Sequence, residues 1–141
     1  MQITVNNCKL IDVCTIDEKD RGILSFFEVG KHIDFPVKRI YWIYNVGKNI
    51  KRGGHAHKNT IQALFCLQGN INIYIDDGVN NMNIVLDKPS QGLLISPMIW
   101  HDMKGFSCDT IILVFASEHY DENDYIRNYD EFLKLAGKKE K

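Results

Sequence analysis

Residues Lys51–Gly69, KRGGHAHKNTIQALFCLQG, decide how this chain is read. Gly53 and Gly54 precede two histidines, His55 and His57, and an apolar run follows at Ala63–Leu67. A strand repeats every two residues, so a strand through GHAHK puts both imidazoles on one face and Ala56 on the other. Beyond the run, Gly69-Asn70 has the chemistry of a tight turn. Ile71, Ile73 and Ile75 then alternate with more polar partners, and Asp77-Gly78 marks the next turn. The segment predicts strand, turn, strand.

The same unit repeats outward. GILSFFEV (22–29) and VKRIYWIYNV (37–46) are rich in β-branched and aromatic residues. MNIVL (82–86), GLLISP (92–97) and DTIILVFAS (109–117) continue the series, with Pro89 and Pro97 ending elements rather than interrupting them. Short strands spaced by turn signals predict an all-β fold, an antiparallel barrel or jelly roll. The pattern changes only in DENDYIRNYDEFLKLAG (121–137), where Tyr125, Ile126, Tyr129, Phe132, Leu133 and Ala136 recur at helical spacing. That stripe predicts a carboxy-terminal α-helix over 121–136, capped by Asp121 or Asn123 and ended by Gly137, with KKEK (138–141) as a solvated tail. One domain spanning 1–141 is expected. Inward side chains at one mouth of such a small barrel form its natural ligand pocket.

A chain of 141 residues, 45% hydrophobic and 25% charged, can bury a substantial core. Its 17 basic and 18 acidic residues leave a formal charge of −1, so there is no overall electrostatic footprint for nucleic acid. A small anion needs only a local basic cluster, which this balance permits. The amino terminus, MQITVNNCKLIDVCTIDEKD, lacks the basic start and long apolar stretch of a signal peptide. The longest apolar run, IILVFA (111–116), falls far short of the ~20 residues that span a bilayer. The expectation is a soluble cytoplasmic protein with no membrane partner. Cys8, Cys14, Cys66 and Cys108 form no C-x-x-C pair and read as free thiols in a reducing compartment.

His55, His57 and a distant third, His101 in ISPMIWHDM (95–103), resemble the histidine ligands of many metal-binding cupins, a superfamily of small β-barrels. Those sites usually add a carboxylate a few residues after H-x-H. Here Gln62 holds that place, and a neutral amide oxygen is a weak ligand that offsets no positive charge. His32 and His119 lie in polar, loop-like contexts and read as surface residues. Arg52 and Lys58 bracket the pair, and a nearby cation favours neutral imidazole, the form a general base needs near pH 7. Arg52 can also hold a phosphate by a charge-assisted fork, or be a solvated strand-end arginine. The same two readings apply to Lys38, Arg39 and Arg21.

KRIYWIY (38–44), RGGHAHK (52–58), Gln62, DDG (76–78), GLLISPMIWHDM (92–103) and ASEHYDENDYIRNYDEF (116–132) together resemble the WxcM-like sugar-nucleotide 3,4-ketoisomerases. The resemblance covers roughly Asp20 to Leu135, and glutamine in the place of the cupin glutamate is typical of that group. It implies a cupin (RmlC-like) jelly-roll barrel with a C-terminal helix, and conversion of dTDP-4-keto-6-deoxyglucose to a dTDP-3-keto-6-deoxyhexose. Proton transfer through an enediol would need no cofactor and no metal. By the family pattern His55 is the base and His57 shuttles protons or orients the sugar. Tyr41 or Tyr44 donates to the developing oxyanion, and the Arg39/Tyr41 strand face is favoured because it brings a cation and a hydroxyl together. Arg52, with Arg21 or Arg39, would hold the diphosphate, and Gln62 and His101 complete the substrate-binding set. The resemblance also implies a homodimer that exchanges amino-terminal strands, for which residues 1–14 are the candidate, although they could equally form an edge strand of their own barrel.

Three rivals remain at this level. One is a dTDP-sugar 3,5-epimerase, which uses a histidine base at C3 and C5. Another is a metal-dependent cupin oxygenase or isomerase, and the third a non-catalytic sugar-nucleotide-binding cupin.

Overall fold

The computed structural model describes residues 2–139. Twelve strands run in chain order: β1 Cys8–Asp12, β2 Cys14–Asp17, β3 Ile23–Phe26, β4 Arg39–Ile43, β5 Arg52–His57, β6 Gln62–Gln68, β7 Ile71–Asp76, β8 Asn81–Leu86, β9 Gln91–Ile95, β10 Trp100–Lys104, β11 Ile111–Ala116 and β12 Tyr125–Ile126. One α-helix, α1, covers Tyr129–Lys139. Two five-stranded sheets, β1-β9-β6-β11-β4 and β12-β5-β10-β7-β8, are built from antiparallel pairs, and β2-β3 form a separate hairpin.

The alternation in the sequence supplies the core. Ile71, Ile73 and Ile75 are fully buried and pack with Leu64, Cys66, Ile84, Leu86, Leu93, Ile112 and Val114 in one cluster. The tight turn between β6 and β7 needs its glycine. Gly69 has φ +76°, and a Cβ there would collide with the side chains of Ser107 and Thr110. Gly53 in β5 has φ +86° and lies so close to β10 that a Cβ would stand 3.0 Å from the Asp102 backbone. That close approach coincides with a register shift between His101 and Asp102.

The carboxy-terminal segment departs from the expected helix over 121–136. Asp121 caps a short 3₁₀ turn, Glu122–Asp124, by accepting from the Asn123 amide, and Tyr125–Ile126 form β12 on the edge of β5. The helix begins at Tyr129, and Asn128 accepts from the Glu131 amide as its cap. Gly137 lies inside the helix, which continues through Lys139; Glu140 and Lys141 of the expected tail lie outside the described residues. Tyr125 and Ile126 fit a helical stripe in sequence, but both are packed because β12 is covered on both faces, Tyr125 against the histidine pair and Ile126 against Ala56 and Phe132. Phe132, fully buried, joins Ala56, Trp100 and Ile126, whereas Leu133 is left exposed. The helix therefore covers the outer face of β5, where Ala56 leaves room for it.

Within residues 1–14, β1 pairs with β9 of its own chain, Cys8 opposite Ile95. Met1 lies outside the described residues. No helix among the described residues is long and apolar enough to cross a membrane.

Candidate active site

The strand through GHAHK sets the site. His55 and His57 share a face of β5, with ring centroids 5.0 Å apart. β10 runs antiparallel beside it with His101 directly opposite His55, and those two rings are 4.7 Å apart. β4 and β6 face them from the other sheet and contribute Arg39, Tyr41 and Gln62. The cavity between has a volume of about 330 Å³. His55, His101, Arg52 and Gln62 line it, while His57 lies almost entirely buried beside them.

Tyr41 lines the cavity with Arg39, as the favoured strand face requires, while Trp42 and Tyr44 of the alternate face are exposed to solvent. The Gln62 side-chain amide donates to the Tyr41 oxygen at 2.9 Å, and Gln62 Oε1 has no protein partner. The Arg39 guanidinium lies 5.5 Å from the Tyr41 ring and 5.7 Å from the Tyr120 ring. Arg39 and Arg52 have no carboxylate ion pair among the described residues, and the buried Nε of Arg39 is unbonded. Two arginines without a protein counter-charge beside a cavity are chemically suited to holding an anion.

Arg21 is not among the cavity residues. It ends the 3₁₀ turn between β2 and β3, exposed, 3.8 Å from Glu18. His32 takes a hydrogen bond from the Glu28 amide on its Nδ1, and His119 is exposed.

The imidazoles are neutral at pH 7, for a reason other than the one the sequence suggests. Burial holds His55 down at about 4, with His57 and Arg127 adding to the effect. Burial, with His55 and His57, pushes His101 down to about 3. His57 is also lowered by burial, against the opposing pull of Asp124. Neither Arg52 nor Lys58 is a leading cause at His55 or His57. Burial raises Tyr41 to about 12, outweighing Arg39 and Arg52, so its hydroxyl remains a donor.

Residues 120–127 supply a wall, all of which except Tyr120 falls within the helix expected from the sequence. Tyr125 packs 4.9 Å from His55 and 4.5 Å from His57, and the Arg127 guanidinium lies 4.4 Å from the Tyr125 ring. Glu122 accepts from Arg127 at 2.8 and 3.1 Å and from Tyr120 at 2.5 Å, which ties the wall together. These donors hold the Glu122 carboxyl down at about 2. Asp124 accepts from His57 Nδ1 at 2.9 Å. The i, i+2 spacing of Tyr125 and Arg127 was the available signal for a strand facing the pocket, but it lay inside an apparent helical stripe.

The ligand nitrogens of His55, His57 and His101 lie within 4.8 Å of one another, a spacing at which three imidazoles can hold a metal ion, although no carboxylate among the described residues completes the cluster. The arrangement suits acid–base chemistry on an anionic substrate: neutral imidazoles, a protonated phenol and two free guanidinium groups around one cavity. A separate groove of about 440 Å³, lined by Phe26, Phe27, Val29, Leu67 and Phe115, is apolar and carries no titratable side chain.

The chain matches known proteins over nearly its whole length. The family model described as FdtA: WxcM-like, C-terminal, matches residues 6–137. The TDP-4-oxo-6-deoxy-alpha-D-glucose-3,4-oxoisomerase of Aneurinibacillus thermoaerophilus is 42% identical over 134 residues, 95% of this chain and 91% of that protein. The crystal structure of QdtA, a sugar 3,4-ketoisomerase from Thermoanaerobacterium thermosaccharolyticum in complex with TDP, superposes with a TM-score of 0.92 at 40% identity, covering 96% of this chain and 98% of that one. NovW, a 4-keto-6-deoxy sugar epimerase of Streptomyces spheroides, shares the fold alone, with a TM-score of 0.76 at 16% identity over 88% of this chain and 70% of its own.

Proposed function

The chain belongs to the FdtA (WxcM-like, C-terminal) family, and we propose that it converts dTDP-4-keto-6-deoxyglucose to a dTDP-3-keto-6-deoxyhexose. It is an isomerase of the sugar-nucleotide 3,4-ketoisomerase type. The observation that carries the reading is the convergence of neutral His55 with protonated Tyr41 and the unpaired Arg39 in one cavity.

The C3 proton is acidic because it lies beside the C4 carbonyl. His55 removes it, and the electron pair forms the C3=C4 bond of an enediolate with charge on the C4 oxygen. Tyr41 donates to that oxygen, and its own oxygen already accepts from Gln62, which leaves the phenolic hydrogen free. Protonation at C4 and loss of the C3 hydroxyl proton complete the exchange. One hydrogen has moved from C3 to C4 and one from O3 to O4, with no net oxidation. Arg39 and Arg52 hold the diphosphate, His101 and Gln62 border the sugar, and no metal takes part.

Incubation with dTDP-4-keto-6-deoxyglucose in heavy water, followed by carbon NMR, tests this. A C3 ketone with deuterium at C4 is expected. A retained C4 ketone with deuterium at C5 would mean 3,5-epimerisation and would overturn the reading.

The same proposal takes residues 1–141 as one cytoplasmic domain acting as a homodimer. Support for the dimer is the β2-β3 hairpin, which pairs with neither sheet and exposes Ile16, Ile23, Leu24 and Phe26. A second copy would cover that apolar surface, and the diphosphate role of Arg21 is placed across such an interface because Arg21 does not line the cavity of its own chain. Exchange of residues 1–14 would require β1 to leave β9 for the partner's sheet. Light scattering at micromolar concentration checks the dimer; a monomer mass would remove Arg21 from the diphosphate site.

A further inference from the structure

Asp124 belongs to none of the roles assigned above, yet it is one of the most heavily bonded buried acids in the molecule. It is 7% exposed and sits at the end of the 3₁₀ turn Glu122–Asp124. Its Oδ2 accepts from His57 Nδ1 at 2.9 Å and from the Thr60 hydroxyl at 2.5 Å, and its Oδ1 accepts from the Asn59 amide at 2.7 Å. Burial works against its charge, but the bonds from Thr60, His57 and Asn59 outweigh it and lower the pKa, so the carboxyl is ionised.

The backbone makes this placement stringent. Tyr125 pairs with His57 across β12 and β5, and the Lys58 amide donates to the Asp124 carbonyl at 2.8 Å. The carboxylate is held against the histidine by main-chain pairing as well as by its side chain.

An ionised carboxylate can only accept, so the nitrogen bonded to it must carry a hydrogen. A neutral imidazole has one N–H, and that places the His57 lone pair on Nε2. Nε2 is buried and has no protein partner, on a ring that packs edge-on against His55.

We propose that Asp124 is a positioning residue for the isomerase reaction, fixing His57 in the Nδ1–H tautomer so that its Nε2 lone pair serves the proton-transfer site. A proton taken up by the histidine pair is stabilised on His57, whose Nδ1–H already faces a negative charge. This role rests on the proposed ketoisomerase activity, but the tautomer can be measured without it.

Two measurements on the full-length protein decide the matter. Long-range ¹H–¹⁵N correlation spectra of the wild type should show His57 with a protonated Nδ1 and an unprotonated Nε2; the opposite tautomer overturns the proposal, and this holds even if Asp124 variants do not fold. The Asp124→Asn variant presents an amide that can donate to Nδ1, so the His57 pattern should switch. Turnover of dTDP-4-keto-6-deoxyglucose should then fall by roughly 10²-fold, with KM changing less than about threefold. Thr60→Val, which removes a neighbouring bond but keeps the Asp124–His57 pair, should stay within about threefold of wild type. Full turnover in Asp124→Asn, or a loss with the tautomer unchanged, would sink the idea. A wild type that fails to isomerise the sugar would instead defeat the proposed function, leaving the tautomer to decide the role of Asp124.

Discussion

Gln62 donates to the Tyr41 hydroxyl at 2.9 Å, joining a β6 side chain to a β4 side chain across the strand that separates them in the sheet. The bond occupies a lone pair of the phenol and leaves its hydrogen for the cavity. Tyr41→Phe should therefore lower kcat by roughly 10- to 10²-fold while the protein stays folded, as expected for loss of one oxyanion donor. Steady-state kinetics and thermal unfolding on the same preparation check both halves.

His55, the proposed base, should account for a larger share of the turnover. His55→Asn keeps a polar side chain of similar reach but removes the base, and turnover should fall by about 10³-fold or more. Binding of dTDP, measured by calorimetry, should change little because the proposed diphosphate contacts are Arg39 and Arg52. Unchanged turnover would take His55 out of the mechanism.

The pH behaviour has a definite sign. His55 and His101 titrate at about 4 and about 3 in the folded protein, below the ordinary 6.5. Between those values and 6.5 the unfolded chain binds more protons than the folded one, so stability is fully present above 6.5 and falls as pH drops toward about 4 for His55 and about 3 for His101. Urea midpoints across that range should show the decline. The acid limb of kcat/KM should also lie near the depressed value; a limb near 6.5 would contradict the burial of His55.

Phe132 offers a test of the helix as a structural clamp. It is fully buried against Ala56 and Trp100, on the outer face of the strand that carries the histidine pair. Phe132→Ala should destabilise the protein by ~3–5 kcal/mol. Denaturant unfolding measures this directly.

Activity should survive exhaustive chelation, since the proposed mechanism moves protons between neutral imidazoles and substrate carbon. Loss of turnover on chelation, restored by a single divalent ion, would convert the three-histidine cluster into a metal centre.

Much of this was legible before any coordinates. The isoleucine alternation of β7 and the H-A-H spacing of β5 are local properties of a strand, and they required a buried face and a histidine pair on one side. Strand parity likewise separated Arg39 and Tyr41, which line the cavity, from Trp42 and Tyr44, which do not. The carboxy-terminal stretch misled because Tyr125 and Ile126, packed on opposite faces of β12, also fall on a helical stripe.

The amino-acid sequence by itself determined which residues share a face, because a strand's two-residue repeat is built into the backbone. Tertiary structure decided which faces meet. His101 lies opposite His55 through a pairing of strands more than 40 residues apart, Asp124 reaches His57 through β12, and Arg21 stands outside its own cavity. Those registers follow from packing two sheets over one core, which no local pattern records. The neutrality of the histidines has the same origin: burial, rather than the adjacent Arg52 and Lys58, sets their charge.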